Sequence, residues 1–405
     1  MGRTKSIKYK YSIKEYFLIL LFLFSSGSII WFHVLSPAFS HIIYFSICLC
    51  AFIHQKKKLK HYKSFPIIFS ILILINITFI NTNVVNRTGI GTIIATLGSY
   101  LFFQLFDFYK FRYLYIKVVG YLTLASIIVF FFTEIELLPL YSLTDATGKS
   151  HDMFLIFHIG WPYHFHRLTS IWHEPGACMI FLNIAFLLYI PELKSKNLNR
   201  REALYLSLIA LGILCTQSTT GYIAFILILG YCTLFSTFLP SYKKILLIIL
   251  CGGIITTLFY SDVIQEKLNQ DEDEITSKGV RMRDNLACLE MAIDNPITGV
   301  GFGTKEFIKT SEKLDNTTNS NGILLIAAYM GIIFVILYFI YAYRYVCKWN
   351  NKLDAIFIVC VFFILESNEA FVEFPVSFIF MAKFYSYKYF NSPIDTNQTS
   401  SIQKI

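Results

Sequence analysis

Two stretches of the chain hold most of the residues whose types and spacing suit chemistry. The first runs from His158 to Gly176 and contains Trp161, Tyr163, His164, His166, Arg167, Trp172, His173 and Glu174. Aromatic faces stack on pyranose rings, Arg grips phosphate bidentately, and Glu serves as a base or acceptor. That combination suits a site for a phosphorylated sugar. A plainer reading stands beside it. Glu174-Pro175 opens an apolar block, where Pro fits the first helical turn and Glu complements the helix dipole. The aromatics then form a membrane-interface belt. A metal site from His164, His166 and His173 is the weaker option, because interfacial His is usually just solvated.

The second stretch runs from Lys278 to Gly303. Ser277 is placed to cap a helix in which Met282, Leu286, Leu289 and Ile293 form one apolar stripe. Asn295-Pro296 ends it. Arg281, Asp284, Asn285 and Cys288 share one face, and Arg283, Ala287, Glu290 and Asp294 another. The two arginines therefore point apart, and one of them is expected to reach a common site. The glycine run from Gly299 to Gly303 lacks the Lys of a phosphate loop and reads as a tight turn. Asp271 to Glu274 resembles a metal-chelating Asp-x-Asp pair but reads better as a solvated acidic run. Ser218-Thr219-Thr220-Gly221 is a turn between two apolar blocks.

The elements that must position these residues are apolar helices. Hydrophobic residues make up 55% of the 405 positions, charged residues 15%, and mean hydropathy is +0.57. Apolar blocks of ~20 residues cross the hydrocarbon core as helices. They are read near 16-32, 34-53, 66-83, 88-106, 114-132, 174-190, 203-217, 221-239, 245-260, 322-342, 353-366 and 374-390. The expected fold class is an all-α polytopic membrane protein with about 12 spans. Residues 1-405 form a single membrane domain, with large outer loops at 133-173 and 261-320 that contain short helices. The first block has no small-residue cleavage site and reads as an anchor.

Charge sets the orientation. With the N-terminus inside, most of the 35 Lys and Arg fall on inner segments, for example Lys5, Lys56, Lys57, Lys58, Lys194 and Arg201. Most of the 26 acidic residues fall outside. This asymmetry predicts both termini in the cytoplasm. The net charge of +9 then reflects topology and anionic headgroups, not nucleic acid. The nine cysteines sit mostly in apolar blocks and form no disulfide framework. Asn76, Gln104, Asn183 and Gln217 are secondary polar candidates, read mainly as helix-packing contacts.

Four segments, in order, resemble the bacterial O-antigen polymerase (Wzy-type) family and its relative, the O-antigen ligase family. They are Arg167 to Gly176, Ser218 to Gly221, Arg281-Met282-Arg283 with Asn295 to Gly303, and Asn319 to Leu325 with Gly331. Arg283 to Gly299 has the Arg-to-Gly spacing of one polymerase branch. Ligases commonly carry a His before the late Asn, whereas Ser320 precedes Asn321 here and no His follows His173. The polymerase is the closer match.

The resemblance implies a GT-C-like membrane glycosyltransferase of the bacterial inner membrane. It would polymerise undecaprenyl-diphosphate-linked oligosaccharide repeat units into O-antigen or capsule, with inversion and no cofactor or metal. It implies Glu174, Arg167, Arg281 and Arg283 as catalytic residues. Trp161, Tyr163, His166, Trp172, His173, Ser218, Thr219, Asn319 and Asn321 would bind substrate. Membrane lipid, a chain-length regulator and a flippase of the same pathway are the implied partners. A ligase is the alternative. A flippase without chemistry is the rival from another class, and the scarcity of mid-span charge argues against it.

Overall fold

The structure is a computed structural model. It describes residues 11–35, 37–58, 64–79, 87–144, 150–160, 167–195, 197–260, 277–302, 307–309 and 321–385. Trp161, Tyr163, His164, His166, Asn319 and the acidic run 271–274 lie outside the described residues.

The chain is built mainly of helices: α1 (Ile13–Ser25), α2 (Pro37–His54), α3 (Phe65–Phe79), α4 (Arg87–Leu105), α5 (Phe108–Glu134), α6 (Pro175–Leu187) and α7 (Ile190–Ser195). There follow α8 (Arg200–Thr216), α9 (Thr219–Leu234), α10 (Ser241–Phe259), α11 (Ser277–Asp294), α12 (Gly322–Met330), α13 (Ile332–Val346) and α14 (Lys352–Glu366). Their starts follow from local chemistry. Ser12 with Glu15 and Asn199 with Glu202 form capping boxes, and Asn351 accepts from the Asp354 amide.

Helix α6 is the centre of the packing. Every one of its residues from Pro175 to Leu187 is buried, and it lies against α5, α8, α9 and α14. A helix apolar on all sides belongs in such a position. Around it, α2 and α3 pack on α4, and α5 packs on α8.

The architecture is compatible with a polytopic membrane protein. Among the described residues one helix, α5, is both long and apolar enough to cross a bilayer; its most apolar window has a mean hydropathy of 2.0. The other apolar helices, including α3, α6, α9 and α13, are shorter. Large apolar side chains face outward along several of them: Ile71, Leu74 and Phe79 on α3, Leu211 and Leu214 on α8, Ile336 and Ile340 on α13. An outer surface this apolar suits lipid better than water.

Three expectations change. The apolar run 374-390 is not an α-helix over its described part. Short 3-10 turns at Phe371–Glu373 and Pro375–Phe378 lead into an irregular stretch, with Val376, Phe378, Ile379, Phe380, Met381 and Phe384 all buried. Its hydrophobicity answers to protein on every side, including α1 and α4. The block 322-342 is two helices, not one. Gly331 breaks it with φ +88, and the Gly299 turn packs into the break. There Val300 donates to the Ala328 carbonyl at 2.8 Å and Gly301 to that of Tyr329 at 3.1 Å. Asn76 adds bonds to the Thr298 and Tyr329 carbonyls, so it satisfies backbone groups that the break sets free. Finally, the described residues of the loop 133-173 carry an antiparallel sheet where short helices were expected. Its strands are β1 (Tyr141–Thr144), β2 (Ser150–Phe154) and β3 (Phe157–Gly160) in that order. Its inward positions are period-two, with His151 and Met153 buried.

Candidate functional site

Glu174 stands one residue ahead of α6. Its segment is clamped from three directions. Ile29 donates to the Ile171 carbonyl at 3.0 Å, β3 reaches it through His158 N to Ser170 O at 2.7 Å, and Leu168 N bonds the Cys215 carbonyl at 2.9 Å. Ser170 takes the left-handed conformation, φ 60, and shares a 2.6 Å hydroxyl contact with Ser126. The result is a stiff arch that delivers the 173–174 pair to the head of the central helix.

Glu174 does not cap that helix. It sits at the N-cap position, but its side chain makes no cap hydrogen bond. Its Oε1 lies 3.2 Å from His173 Nε2, and its carboxylate faces that of Glu369, in the turn after α14. Ligand atoms of His173, Glu174 and Glu369 all lie within 4.8 Å of one another.

Glu369 is held tightly. Asn368 Nδ2 donates to its Oε1 at 3.0 Å, and Asn368 Oδ1 accepts from Thr220 at 2.7 Å and from Arg281 Nη1 at 2.9 Å. Arg281 Nη2 stands 3.8 Å from Glu369 Oε1. A Cβ at position 176 would overlap that oxygen and come within 3.1 Å of Asn368 Nδ2. The glycine after Glu174-Pro175 is therefore the space in which the second carboxylate sits.

The arginines differ. Arg281 joins the carboxylates and its side chain remains 46% exposed, able to reach outward. Arg283 lies half-buried on another face of α11, as the helical spacing predicts. Arg167 binds the end of α8: Nε donates to the Thr216 carbonyl at 3.2 Å and Nη2 to that of Gln217 at 3.0 Å. These bonds satisfy carbonyls left open at a helix C-terminus. Burial pulls the Arg167 guanidinium below its ordinary pKa, while Glu174 opposes the shift and Arg281 adds to it. So Arg167 is within electrostatic reach of both.

The carboxylates divide their roles by environment. Burial, then the Glu174 charge and hydrogen bond, push the Glu369 carboxyl well above the usual carboxylate range. For Glu174 burial pulls upward too, but the Glu369 and His173 hydrogen bonds and the His173 and Arg281 charges outweigh it and hold the group low. His173, Glu174 and Glu369 are a ligand set that suits a divalent ion by type. Arg281 supplies positive charge to the same carboxylates.

The other sequence candidates take plainer places. Trp172 is 1% exposed and stacks on Phe181 at 4.3 Å, so that face is taken by the core. Ser218 is buried at the start of α9 without a side-chain cap bond, and Thr219 is half-buried beside it. Asn321 Oδ1 caps α12 by accepting from the Leu324 amide at 3.0 Å. Asn183 bonds the carbonyls of Met179 and Gly221, Gln104 bonds that of Lys383, and Gln217 is the left-handed C-cap of α8. Asn368 and Glu369 were not singled out from the sequence, and Thr220 was read only as part of a turn. The signal for Asn368 and Glu369 was a polar island, Glu366-Ser367-Asn368-Glu369, between two apolar runs.

A cluster of carboxylates with an arginine beside it therefore stands at the head of the apolar helix α6. A family model described as O-antigen ligase matches residues 204–339. That stretch, less than half the chain, takes in Thr220, Arg281 and the Gly299–Gly331 joint; Glu174 and Glu369 lie outside it. The match supports the O-antigen polymerase/ligase superfamily, glycosyltransferase-like enzymes of bacterial membranes, at a level where polymerases and ligases are not distinguished. No curated protein matches the chain.

Proposed function

We propose that this protein is a membrane glycosyltransferase that polymerises undecaprenyl-diphosphate-linked repeat units into surface polysaccharide. The observation that carries the reading is the meeting of Glu174, Glu369 and Arg281, from three distant parts of the chain, in one partly open cluster. Glu174 takes the proton of the acceptor sugar hydroxyl. The hydroxyl oxygen attacks the anomeric carbon, and the bond from that carbon to the diphosphate oxygen breaks with its electron pair going to the diphosphate. Attack opposite the leaving group inverts the centre. Diphosphate leaves well once its growing charge is met by cations, and guanidinium groups suit that task. Arg281 is placed for it, with Arg167 behind.

The charge distribution supports a site on the outer face. Residues read as outer, at 167–174, 220, 281 and 368–369, cluster together. Residues read as inner pair elsewhere: Arg112 with Glu192 at 2.6 Å and Lys194 with Asp354 at 2.5 Å. About 20 Å of α6 runs between the two groups. We place the protein in the bacterial inner membrane, multi-pass, with cytoplasmic termini and with a flippase and chain-length regulator as partners. The description of the matched family favours a second reading, a ligase that moves the glycan to another acceptor.

The test is chain-length analysis of surface polysaccharide at matched expression. Arg281→Ala should lower turnover about 10²- to 10³-fold, the usual loss of one donor to developing charge. Glu174→Gln should abolish long chains, and Arg283→Ala should leave them nearly intact. Wild-type chain lengths in both the Glu174 and Arg281 variants refute the site. Single repeat units on the final acceptor with no effect on polymer length favour the ligase.

A further inference from the structure

We propose that α11 lies in the outer-leaflet interface of the membrane, with the apolar stripe of Met282, Leu286, Leu289 and Ile293 against lipid. Such a stripe ordinarily turns toward the core. Here the core takes the opposite side of the helix: Ala287, Cys288 and Met291 are buried with Val300 and Ala328. The stripe is left outside, with Leu286 50% and Ile293 60% exposed, and the exposed Ile297 continues it past the helix end. Single exposed apolar residues need no explanation, but four at helical spacing on one face do. Polar residues border the stripe on both edges, Arg283, Glu290 and Asp294 on one and Arg281 and Asn285 on the other. An apolar face between charged edges is the pattern of a helix that rests at the boundary of headgroups and acyl chains.

The surroundings identify the occupant as lipid. The end of α11 is tied to two helices that themselves face outward. Asn76 of α3 donates to the Thr298 carbonyl at 3.0 Å, and Ile333 N of α13 bonds the Pro296 carbonyl at 3.3 Å. On those helices Leu74, Ile75, Phe79, Ile332, Ile333 and Ile336 are exposed. The stripe therefore joins faces that already suit acyl chains. Depth agrees. α12 enters from the side read as outer and is 9 residues long, about 13 Å. The Gly331 joint, and the end of α11 bonded to it, thus sit below the level at which α12 begins. Irregular backbone is tolerated there when protein groups satisfy it, and Val300 and Gly301 donate to α12 carbonyls. Arg281 stands on one polar edge beside Asn368 and Glu369, so lipid contact along the stripe sets that cation at the level of the headgroup phosphates.

Fluorescence quenching on the full chain tests this placement. Leu286→Cys, Leu289→Cys, Ile293→Cys and Glu290→Cys, each in a cysteine-free background, carry an environment-sensitive fluorophore. Each protein is reconstituted singly in phosphatidylcholine nanodiscs, so that no second copy is present. The three stripe labels should lose most of their emission to a phosphatidylcholine spin-labelled near the headgroup end of its acyl chain, and should resist iodide in the buffer. The Glu290 label should do the reverse. Stripe labels quenched by iodide and not by the spin-labelled lipid overturn the assignment, because the stripe then faces water. Labels shielded from both overturn it too, because protein then covers the stripe. The unsubstituted chain gives a second measurement. A phosphatidylcholine with a photoactivatable group near the headgroup end of its acyl chain should attach within residues 282–297, and attachment confined to other helices overturns the assignment. Both readouts are independent of turnover, so they hold whichever reaction the protein performs.

Discussion

Gly176→Ala adds a single methyl group to the site and removes nothing from it. The new carbon would overlap Oε1 of Glu369, 3.2 Å from its Cδ and 3.1 Å from Asn368 Nδ2. The neighbour is not the loose end of a flexible chain. Glu369 is enclosed, and Asn368 is bonded to Thr220 and Arg281. Glu369 must therefore shift by about 1 Å beside Glu174, and a misplacement of that size in a reacting site costs about 10²-fold in rate. Stability should move far less. Overpacking costs about 1–3 kcal/mol, but Ala in a helix gains up to about 1 kcal/mol over Gly. The two readouts are polymerisation of lipid-linked repeat units by purified protein and thermal unfolding in the same detergent. The expected outcome is a turnover loss near 10²-fold with a small change in melting temperature. Full activity would refute the reasoning, for it would mean that the distance between the carboxylates is immaterial.

Arg167→Ala should lower both activity and stability, because the side chain holds the end of α8 as well as lying near Glu174; Arg167→Lys should recover part of the stability and little of the turnover. Gly331→Ala should destabilise the protein by more than about 1 kcal/mol, read by thermal unfolding, since φ is +88 and the added carbon would lie 2.6 Å from the Ile297 backbone. In a cysteine-free background, cysteines at Leu155 and Glu290 should react with a membrane-impermeant thiol reagent on intact spheroplasts, and one at Lys58 should not; labelling at Lys58 alone would reverse the orientation.

Half of the candidate cluster was legible in the sequence, and the split has physical causes. Glu174 and Arg281 stand in segments where charge and aromatics interrupt apolar runs, and helical spacing alone separates Arg281 from Arg283. Glu369 stands in a short turn that reads as a mere connection, and its meaning comes from a tertiary contact with Gly176 that no local pattern records. Trp172 read as a stacking platform because its neighbours are polar; only the fold reveals Phe181 beneath it. The run 374-390 read as a span because an apolar stretch fits lipid and a protein interior equally well. The sheet escaped notice because its strands are only four or five residues long, and the central one opens with three consecutive polar residues, Ser150, His151 and Asp152.

The turn at Asn368–Glu369 has a temporal consequence. The site draws on residues 174, 220, 281 and 369, so the chain is synthesised nearly to its last described segment before the second carboxylate exists. Until then Gly176 faces an empty notch. On the proposed reading, an insertion intermediate that already carries its arginines still lacks the second carboxylate, and the cluster is complete only when this late turn docks on Gly176.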